Sequence, residues 1–171
     1  ARVGGHDVLW WIEKDLKRGA ERSYRLSFAA SPTAPADRQG VTVRQSEKSV
    51  EVLLGDQLVT RYVFADTPKP YCYPLTGPTG KPVTRSFPME QVAGESTDHV
   101  HHRSLWFTHD QVNGQSFWSE RAKTVHREFE ALISGPVLGL IRAGNDWIGS
   151  DGATVCQDVR EVRVYNVANG R

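Results

Sequence analysis

Apolar and polar residues alternate along most of this chain, with the period of two that is typical of half-buried β-strands. The runs at 41–45 and 50–54 show this, since valines two positions apart are separated by polar side chains. Gly55-Asp56 separates the second run from the next, at 58–64, and glycine accepts the positive φ of a two-residue hairpin turn. The pattern predicts a mainly β, antiparallel fold, with further strands at 24–29, 104–108, 125–131, 137–142 and 155–164.

The segment at 8–17 fits two periodicities. Its leucines and isoleucine form a helical stripe that Gly19 would end, while Trp10 and Trp11 fit the edge of a strand equally well. Helix and strand both stay open for this segment.

Turn-forming residues are concentrated between 31 and 40, which predicts a seam between two β units. We expect residues 1–35 to be the end of a preceding β segment and residues 36–171 to be an incomplete β-sandwich domain. The chain begins without Met and stops soon after an alternating Val-Arg-Val-Tyr run, so both ends are treated as cut points. The lack of a targeting segment therefore carries no information about the compartment.

The stretch from Thr67 to Arg103 differs from the rest of the chain because it holds six of the nine prolines. Proline cannot donate to a ladder of hydrogen bonds, so no continuous central strand or helix is expected here. Aromatic residues such as Tyr71 and Phe87 would anchor the stretch on the domain surface. We predict an ordered loop that forms one wall of a binding site.

Composition narrows the classes of partner. The net charge is +1 with acids and bases interspersed, which argues against a nucleic-acid partner. No apolar run approaches the roughly 18 residues that a membrane span needs. Cys72 and Cys156 lie far apart in the sequence, and a disulfide and two isolated buried thiols are both compatible with that spacing.

Four of the six histidines lie close together, ahead of an aromatic run. Histidine changes its charge near neutral pH and is the commonest metal ligand, so the cluster indicates a working site. If the segment is extended, His99 and His101 point to one side of it and His102 to the other. The alternative is that the imidazoles only stabilise the loop. We predict that at least two of the basic groups contact a ligand, and the catalytic candidates are His99, His101, His102 and His109.

Metal binding is a narrower hypothesis for the same segment. The His-x-His spacing resembles that of cupins, but Leu105 and Trp106 stand where cupins have a glutamate. Glu95, Asp98 or Asp110 would have to complete a ligand set. We therefore expect no cofactor, and keep a divalent metal as a possibility.

Aromatic and polar residues around the histidines complete the candidate site. Tryptophan stacks on the CH faces of sugars and donates through its indole N–H, whereas Phe107 and Phe117 are more typical of a sandwich core. An arginine after the proline-rich loop would lie at the rim or pair with Glu90 or Glu95. The Val-Asn-Gly run is most simply a turn. The substrate-binding candidates are Arg85, Arg103, Trp106, Asn113 and Trp118.

One histidine lies apart from this group. His126 shares one side of a predicted strand with Glu128 and Glu130, which is typical of a solvated face.

Two stretches resemble a known family. KPYCYPLTGPTGKPVTRSFP at 69–88, and DHVHHRSLWFTHDQVNG with QSFW at 98–118, resemble the bacterial family of unknown function that is labelled methane oxygenase PmoA. The resemblance covers roughly residues 60–171, and departs from the usual pattern at Val100, normally proline, and Ser104, normally glycine. Family members normally continue past this chain's last residue.

The resemblance implies a galactose-mutarotase-like β-sandwich, a periplasmic or secreted location, and a small-molecule or carbohydrate ligand. The function we expect is acid/base chemistry on a sugar, such as epimerisation, or elimination or hydrolysis of an oxidised glycoside. A metal-dependent oxygenase, as the label states, and a non-catalytic sugar-binding module are the alternatives. A membrane-embedded methane monooxygenase is not compatible with a chain that lacks an apolar span.

Overall fold

The computed structural model describes residues 1–27 and 40–167, and within these ranges the secondary structure is β-strand with no helix. The strands are β1 Arg2–Val3, β2 His6–Asp7, β3 Val41–Gln45, β4 Ser49–Leu54, β5 Gln57–Val63, β6 Tyr71–Leu75, β7 Leu105–Trp106, β8 Gln111–Val112, β9 Gln115–Ser116, β10 Lys123–Ile133, β11 Leu138–Ile148 and β12 Thr154–Tyr165.

Strands β3 to β7 form one antiparallel sheet in chain order. Leu54 pairs with Gln57 across the turn at Gly55-Asp56, and Gly55 has a φ of 59°, which confirms the predicted hairpin. Strands β10, β11 and β12 form a second antiparallel sheet, while β1-β2 and β8-β9 are small separate ladders.

The two larger sheets pack face to face around one hydrophobic core. The first sheet contributes Val50, Val52 and Tyr62, and the second contributes Ile141 and Ala143, all with at most 3% of their surface exposed. A smaller core of Phe117, Ala122 and Trp147 lies at one end of the second sheet. The fold is therefore an antiparallel β-sandwich, as the alternation predicted.

Strand β6 was not expected, since it lies within the proline-rich stretch. It pairs with β5 on one side and with β7 on the other, where only Tyr71 and Cys72 have partners. Pro74 lies beyond the end of the short β7, so on that side its missing N–H interrupts no ladder. The prediction that this stretch contains no central strand is wrong for residues 71–75.

Three other local predictions need correction. The segment at 8–17 is neither helix nor strand, and the strand expected at 104–108 is limited to Leu105–Trp106. A β-bulge between His126 and Glu128 changes which side of β10 the following residues face. The His126 ring consequently packs against Phe64 and Phe129, with centroids 4.7 and 4.2 Å away, while Glu128 and Glu130 are exposed.

Some expectations fall partly or wholly on residues that the structure does not describe. The strand predicted at 24–29 is not present over 24–27, and its remainder, the seam at 31–39 and the boundary at 35/36 lie outside the described residues. Cys72 is buried and Cys156 is exposed, and both are free thiols. In the described ranges, no helix has the length and apolarity needed to cross a bilayer.

Candidate functional site

The histidine segment folds as a turn. The prediction that His99 and His101 point to one side and His102 to the other assumed an extended segment. The His102 N–H donates to the His99 carbonyl at 2.9 Å, and His99 has a φ of 47°, in the left-handed region. The turn brings all three imidazoles to one place. Their ring centroids are 5.9 Å apart for His99 and His101, 4.8 Å for His99 and His102, and 4.5 Å for His101 and His102.

Arg85 holds this turn from the proline-rich side. Its guanidinium donates to Asp98 Oδ1 and to the Asp98 carbonyl at 2.7 Å, and to the His99 carbonyl at 2.9 Å. It does not form the alternative ion pair with Glu95, whose carboxylate instead accepts the backbone N–H groups of Ser86 and Phe87. Arg85 therefore orients the turn instead of standing free at the rim.

Asp98 lies between Arg85 and the first imidazole. Its Oδ2 atom is 2.9 Å from His99 Nδ1, where an Nδ1–H would donate to the carboxylate. Hydrogen bonds from Arg85 and then from His99 hold the pKa of Asp98 far below its usual value. The carboxylate stays charged and leaves His99 Nε2 as the proton-accepting nitrogen.

Two tryptophans lie beside the imidazoles. The rings of Trp106 and Trp118 are 4.8 Å apart at 62°, and the His102 ring lies 5.7 Å from the first and 5.6 Å from the second. The His101 ring is 6.1 Å from Trp118. We call His99, His101, His102, Trp106 and Trp118 together the imidazole–tryptophan cluster.

Buried charges lie beneath this cluster, and two of them, Lys69 and Glu120, were not among the predicted site residues. Lys69 Nζ is 3.8 Å from the Trp106 ring centroid and 3.2 Å from Glu120 Oε1, and only 2% of its side chain is exposed. Arg103 Nε and Nη2 donate to the two oxygens of Glu120 at 3.0 and 3.3 Å. The Arg103 side chain, expected to contact a ligand, thus binds Glu120.

No sequence signal marks Lys69 as buried, because lysine is usually a surface residue. Its location follows from the pairing of Tyr71 with Trp106, which brings the start of β6 against β7. Only this long-range pairing would have revealed the contact between the lysine and the indole.

The charges and the burial set the protonation of the cluster. Burial, followed by the nearby Lys69 cation, lowers the pKa of His101. Burial and the neighbouring imidazoles lower the pKa of His102. Because histidine titrates near 6.5 when unperturbed, both rings are neutral at pH 7 and can accept protons.

Opposing effects also act on the pKa values of Lys69 and Glu120, the buried ion pair beneath the cluster. Burial lowers the pKa of Lys69, and Glu120 opposes that effect. Burial alone would raise the pKa of Glu120, but Arg103 and Lys69 hold it below its usual value. Glu120 is therefore a carboxylate shared by two cations.

Other predicted residues lie outside the cluster. His109 is exposed, and none of the ring contacts within the cluster involves it. Asn113 has a φ of 50° in the turn between β8 and β9, which confirms the turn. Phe117 is a core residue, as expected, but Phe107 is 58% exposed.

Comparison with known families decides where the chain belongs. The pattern of a family of unknown function, DUF6807, matches residues 49–171. The chain is a member of this family. No curated protein and no solved structure matches the chain.

The DUF6807 match contains every residue of the imidazole–tryptophan cluster and the charges beneath it. Ser104, within the DUF6807 match, has a φ of 56°, in the left-handed region that favours glycine. The Ser104 hydroxyl lies 2.7 Å from that of Thr84, which is a contact that glycine would lack.

The arrangement of the acidic, histidine and cysteine side chains of this DUF6807 chain bears on metal ligation. Within residues 1–27 and 40–167, no three His, Cys, Asp or Glu side chains are arranged so that they could hold a metal ion. The three imidazoles meet through their rings, and His99 Nδ1 is directed at Asp98. The residues as arranged do not fit the ligand set that a metal would need.

A groove of about 490 Å³ adjoins the cluster. It lies between β7 and β12, and Trp106 belongs both to its lining and to the cluster, whereas none of the histidines lines it. Tyr71, Phe107 and Arg160 form other parts of its wall. Trp106 thus connects the proton-accepting groups to a largely apolar surface.

Proposed function

We propose that the imidazole–tryptophan cluster binds a carbohydrate, and that the protein performs acid/base chemistry on it. The observation that supports this proposal is the convergence of three imidazoles, 4.5 to 5.9 Å apart, on a pair of tryptophans. Indole faces pack against the CH groups of a sugar ring, and imidazole nitrogens hydrogen-bond its hydroxyls.

His99 is the best-oriented general base of the cluster. Asp98 fixes its ring through Nδ1, and Arg85 keeps Asp98 in place and charged. This is the arrangement in which a third group orients a base towards its substrate. His99 Nε2 would remove a proton from a sugar carbon or hydroxyl, and the resulting imidazolium would return it.

His101 and His102 supply the second group that such chemistry needs. Both are neutral at pH 7, and the ring of each contacts the ring of His99. Epimerisation uses one group to take a proton and another to deliver it, whereas elimination or hydrolysis uses the second group to protonate the leaving oxygen. The cluster has enough groups for either reaction.

The resemblance in sequence supplies the wider proposal. The antiparallel sandwich supports an architecture like that of galactose mutarotases, which act on sugars through groups on a β-sandwich. Export to the periplasm or the medium rests on the same resemblance.

A metal-dependent oxygenase, as the PmoA label states, is the alternative. The convergence of three imidazoles favours it, but the described side chains do not form a ligand set as they are arranged. Metal analysis of protein purified without chelators tests it: stoichiometric Fe, Cu, Mn or Zn would support the alternative, and its absence would end it.

Sugar binding is tested with a thermal-shift panel of monosaccharides and their glycosides. A ligand at 100 times its Kd should add about 2.7 kcal/mol of stability. A panel in which no sugar shifts the melting temperature would overturn the proposal.

Catalysis is then tested with His101→Ala and His102→Ala, and with His109→Ala as the matched control from the same motif. An acid/base role predicts a rate loss on the order of 10² to 10⁴ for the first two variants and a small effect for the control. If the sugar binds and no turnover of it is found, the protein is the non-catalytic module instead. Equal losses in all three variants would remove the cluster from the mechanism.

A further inference from the structure

We propose that the imidazole–tryptophan cluster takes sugars that carry a carboxylate, such as uronic acids, in preference to the corresponding neutral sugars. This inference rests on the proposed function and names its substrate class. It follows from the balance of charge around the cluster and from hydrogen-bond donors that the protein itself does not use.

Cations outnumber carboxylates in the ion pairs that the structure describes beside the cluster. Two carboxylates, Asp98 and Glu120, are paired with three cations, Lys69, Arg85 and Arg103. Arg85 neutralises Asp98 through a contact of 2.7 Å. Arg103 neutralises Glu120 by binding both of its oxygens. Lys69 is left over, so the group carries an excess charge of +1.

The excess charge is buried beneath the tryptophans. The Lys69 side chain is 2% exposed, and its Nζ atom lies 3.8 Å from the Trp106 ring centroid and 3.5 Å from the Trp118 carbonyl oxygen. A charge enclosed by protein is screened less than one in water, so its field extends into the cluster. A ligand carboxylate beside the tryptophans would be attracted without touching the ammonium.

The two arginines keep N–H groups that no acceptor within residues 1–27 and 40–167 uses. Arg103 binds Glu120 through Nε and Nη2, which leaves both N–H groups of Nη1. Arg85 donates through Nη1 and Nη2 and keeps its Nε–H, while Glu95 is occupied by backbone N–H groups. The two side chains are 21% and 29% exposed. A ligand carboxylate can therefore accept a charge-assisted hydrogen bond without displacing the protein's own carboxylates.

The charges that act on the imidazoles are mainly positive. Burial lowers the pKa of His101 most, Lys69 adds to that effect and Glu120 opposes it. Burial also lowers the pKa of His102 most, followed by the neighbouring imidazoles, Arg85 and Lys69. A positive potential that opposes protonation of an imidazole favours an anion at the same place.

A carboxylate beside the reacting carbon also suits the acid/base chemistry. The C5–H bond of a uronate adjoins its carboxylate, which can take up the electron pair that proton removal leaves behind. His99 Nε2 would take the proton, the carboxylate would gain a second negative charge, and the imidazolium would then return the proton to C5. Nearby cations stabilise the doubly charged form, whereas C5 of a neutral sugar has no adjoining group that can hold the pair.

Titration calorimetry of matched ligands tests the inference. The methyl glycosides of glucuronic and galacturonic acid are compared at pH 7.5 with those of glucose and galactose, and with the methyl esters of the two acids. We expect the acid that binds to be about tenfold tighter than its neutral counterparts at low ionic strength, with a smaller ratio in about 0.5 M salt. Equal or tighter binding of the neutral sugar at low ionic strength overturns this inference and leaves sugar binding intact. Binding by no ligand of the set overturns the inference together with the proposed function.

Lys69→Met tests the contribution of the buried charge. The variant makes cations and carboxylates equal in number and keeps the contact between Arg103 and Glu120. The ratio of uronic-acid affinity to neutral-sugar affinity should fall about three- to tenfold, whatever happens to the absolute affinities. Lys48→Met, which removes the same charge from an exposed pair with Asp66, is the matched control. An unchanged ratio in Lys69→Met, or an equal fall in the control, would overturn the assignment of the preference to this charge.

Discussion

Among individual residues, Lys69 departs furthest from the usual surroundings of its type. A buried ammonium is tolerated only where charge and hydrogen bonds replace water, and Glu120, the Trp106 ring and the Trp118 carbonyl do so here. The two cations that share Glu120 differ in what they lose without it, because Arg103 is 21% exposed and Lys69 is 2% exposed. This asymmetry leads to a prediction about stability.

Glu120→Gln is expected to lower the free energy of unfolding by about 3–5 kcal/mol, since it leaves Lys69 and Arg103 facing each other without a counter-charge. Lys69→Met should cost less, because Glu120 keeps its bidentate contact with Arg103. Urea denaturation measures both. Glu51→Gln, which breaks the half-exposed pair with Arg61, is the control and should cost about 0–1 kcal/mol. A Glu120→Gln cost no larger than that of the control would show that the buried pair is not stabilising.

The burial of His126 makes the free energy of unfolding depend on pH. Its Nδ1 atom is buried without a hydrogen-bond partner between Phe64 and Phe129, and burial lowers its pKa, with Glu128 opposing. Below the unperturbed value of about 6.5 the unfolded chain therefore takes up a proton before the folded chain does. The free energy of unfolding should fall as the pH drops from 7 through the folded-state pKa.

The test is chemical denaturation of the wild type and His126→Leu at several pH values. We expect a shallower fall between pH 7 and pH 5 in the variant, with a remaining slope from His101 and His102, whose pKa values are also lowered. Between pH 7.5 and 9, above the range in which His126 titrates because its pKa is lowered, the two proteins should differ by a constant amount. An identical slope below pH 7 would show that His126 is not buried in its neutral form.

At the scale of elements, the sheets meet where β11 crosses β3. A Cβ atom on Gly139 would lie 2.5 Å from Val41 Cγ1 and 3.0 Å from Val43 Cγ2. Val41 is 1% exposed and β-branched, so it has little freedom to move aside. The glycine therefore sets how closely the two sheets approach.

Gly139→Ala should lower the free energy of unfolding by about 1–3 kcal/mol through overpacking. Gly144→Ala is the matched control on the same strand, because its Cβ would meet only the flexible end of the Arg127 side chain, at 2.8 Å. Denaturant midpoints measured side by side check the difference. Equal effects of the two alanines would contradict the close approach of the sheets.

The pairing of β6 with β7 builds the site at the same scale. Tyr71 opposite Trp106 brings the proline-rich stretch against the aromatic run, and within that stretch Arg85 binds Asp98. Residues 89–97 separate the two halves of the sequence motif, and this pairing brings the halves together as one site. The pairing of β6 with β7 is short, since β7 contributes only two residues.

For the whole molecule, the reactivity of the two cysteines distinguishes the folded from the unfolded state, because Cys72 is buried and Cys156 is exposed. Cys72 lies in the core between the sheets, where burial raises the pKa of its thiol to about 11, whereas Cys156 is exposed on β12. The thiolate is the reactive form, so Cys72 should be inert in the folded protein.

One thiol per chain should react promptly with a chromogenic disulfide reagent under native conditions, and two in strong denaturant. In Cys156→Ser the remaining reaction should follow global unfolding, because Cys72 is reached only when the sheets separate. Prompt labelling of Cys156→Ser without denaturant would contradict the buried position of Cys72.

The sequence by itself determined the parts of this protein that depend on local pattern. Alternation reports on which side of a strand a residue faces, so the strands at 41–45, 50–54 and 58–64, the hairpin at Gly55-Asp56 and the sandwich class were all predictable. The histidines were identifiable as a group because they are neighbours in the chain. Membership of DUF6807 also follows from sequence alone.

Only the tertiary structure decided what depends on residues far apart in the chain. The burial of Lys69, the sharing of Glu120 and the clamp of Arg85 on Asp98 all require particular strands and loops to meet. The bulge in β10, which places Glu128 and Glu130 on the side away from His126, changes the period on which a sequence reading relies. The physical reason is that alternation reflects one residue's own preference for water or core, whereas pairing and register are set by the free energy of the whole sandwich.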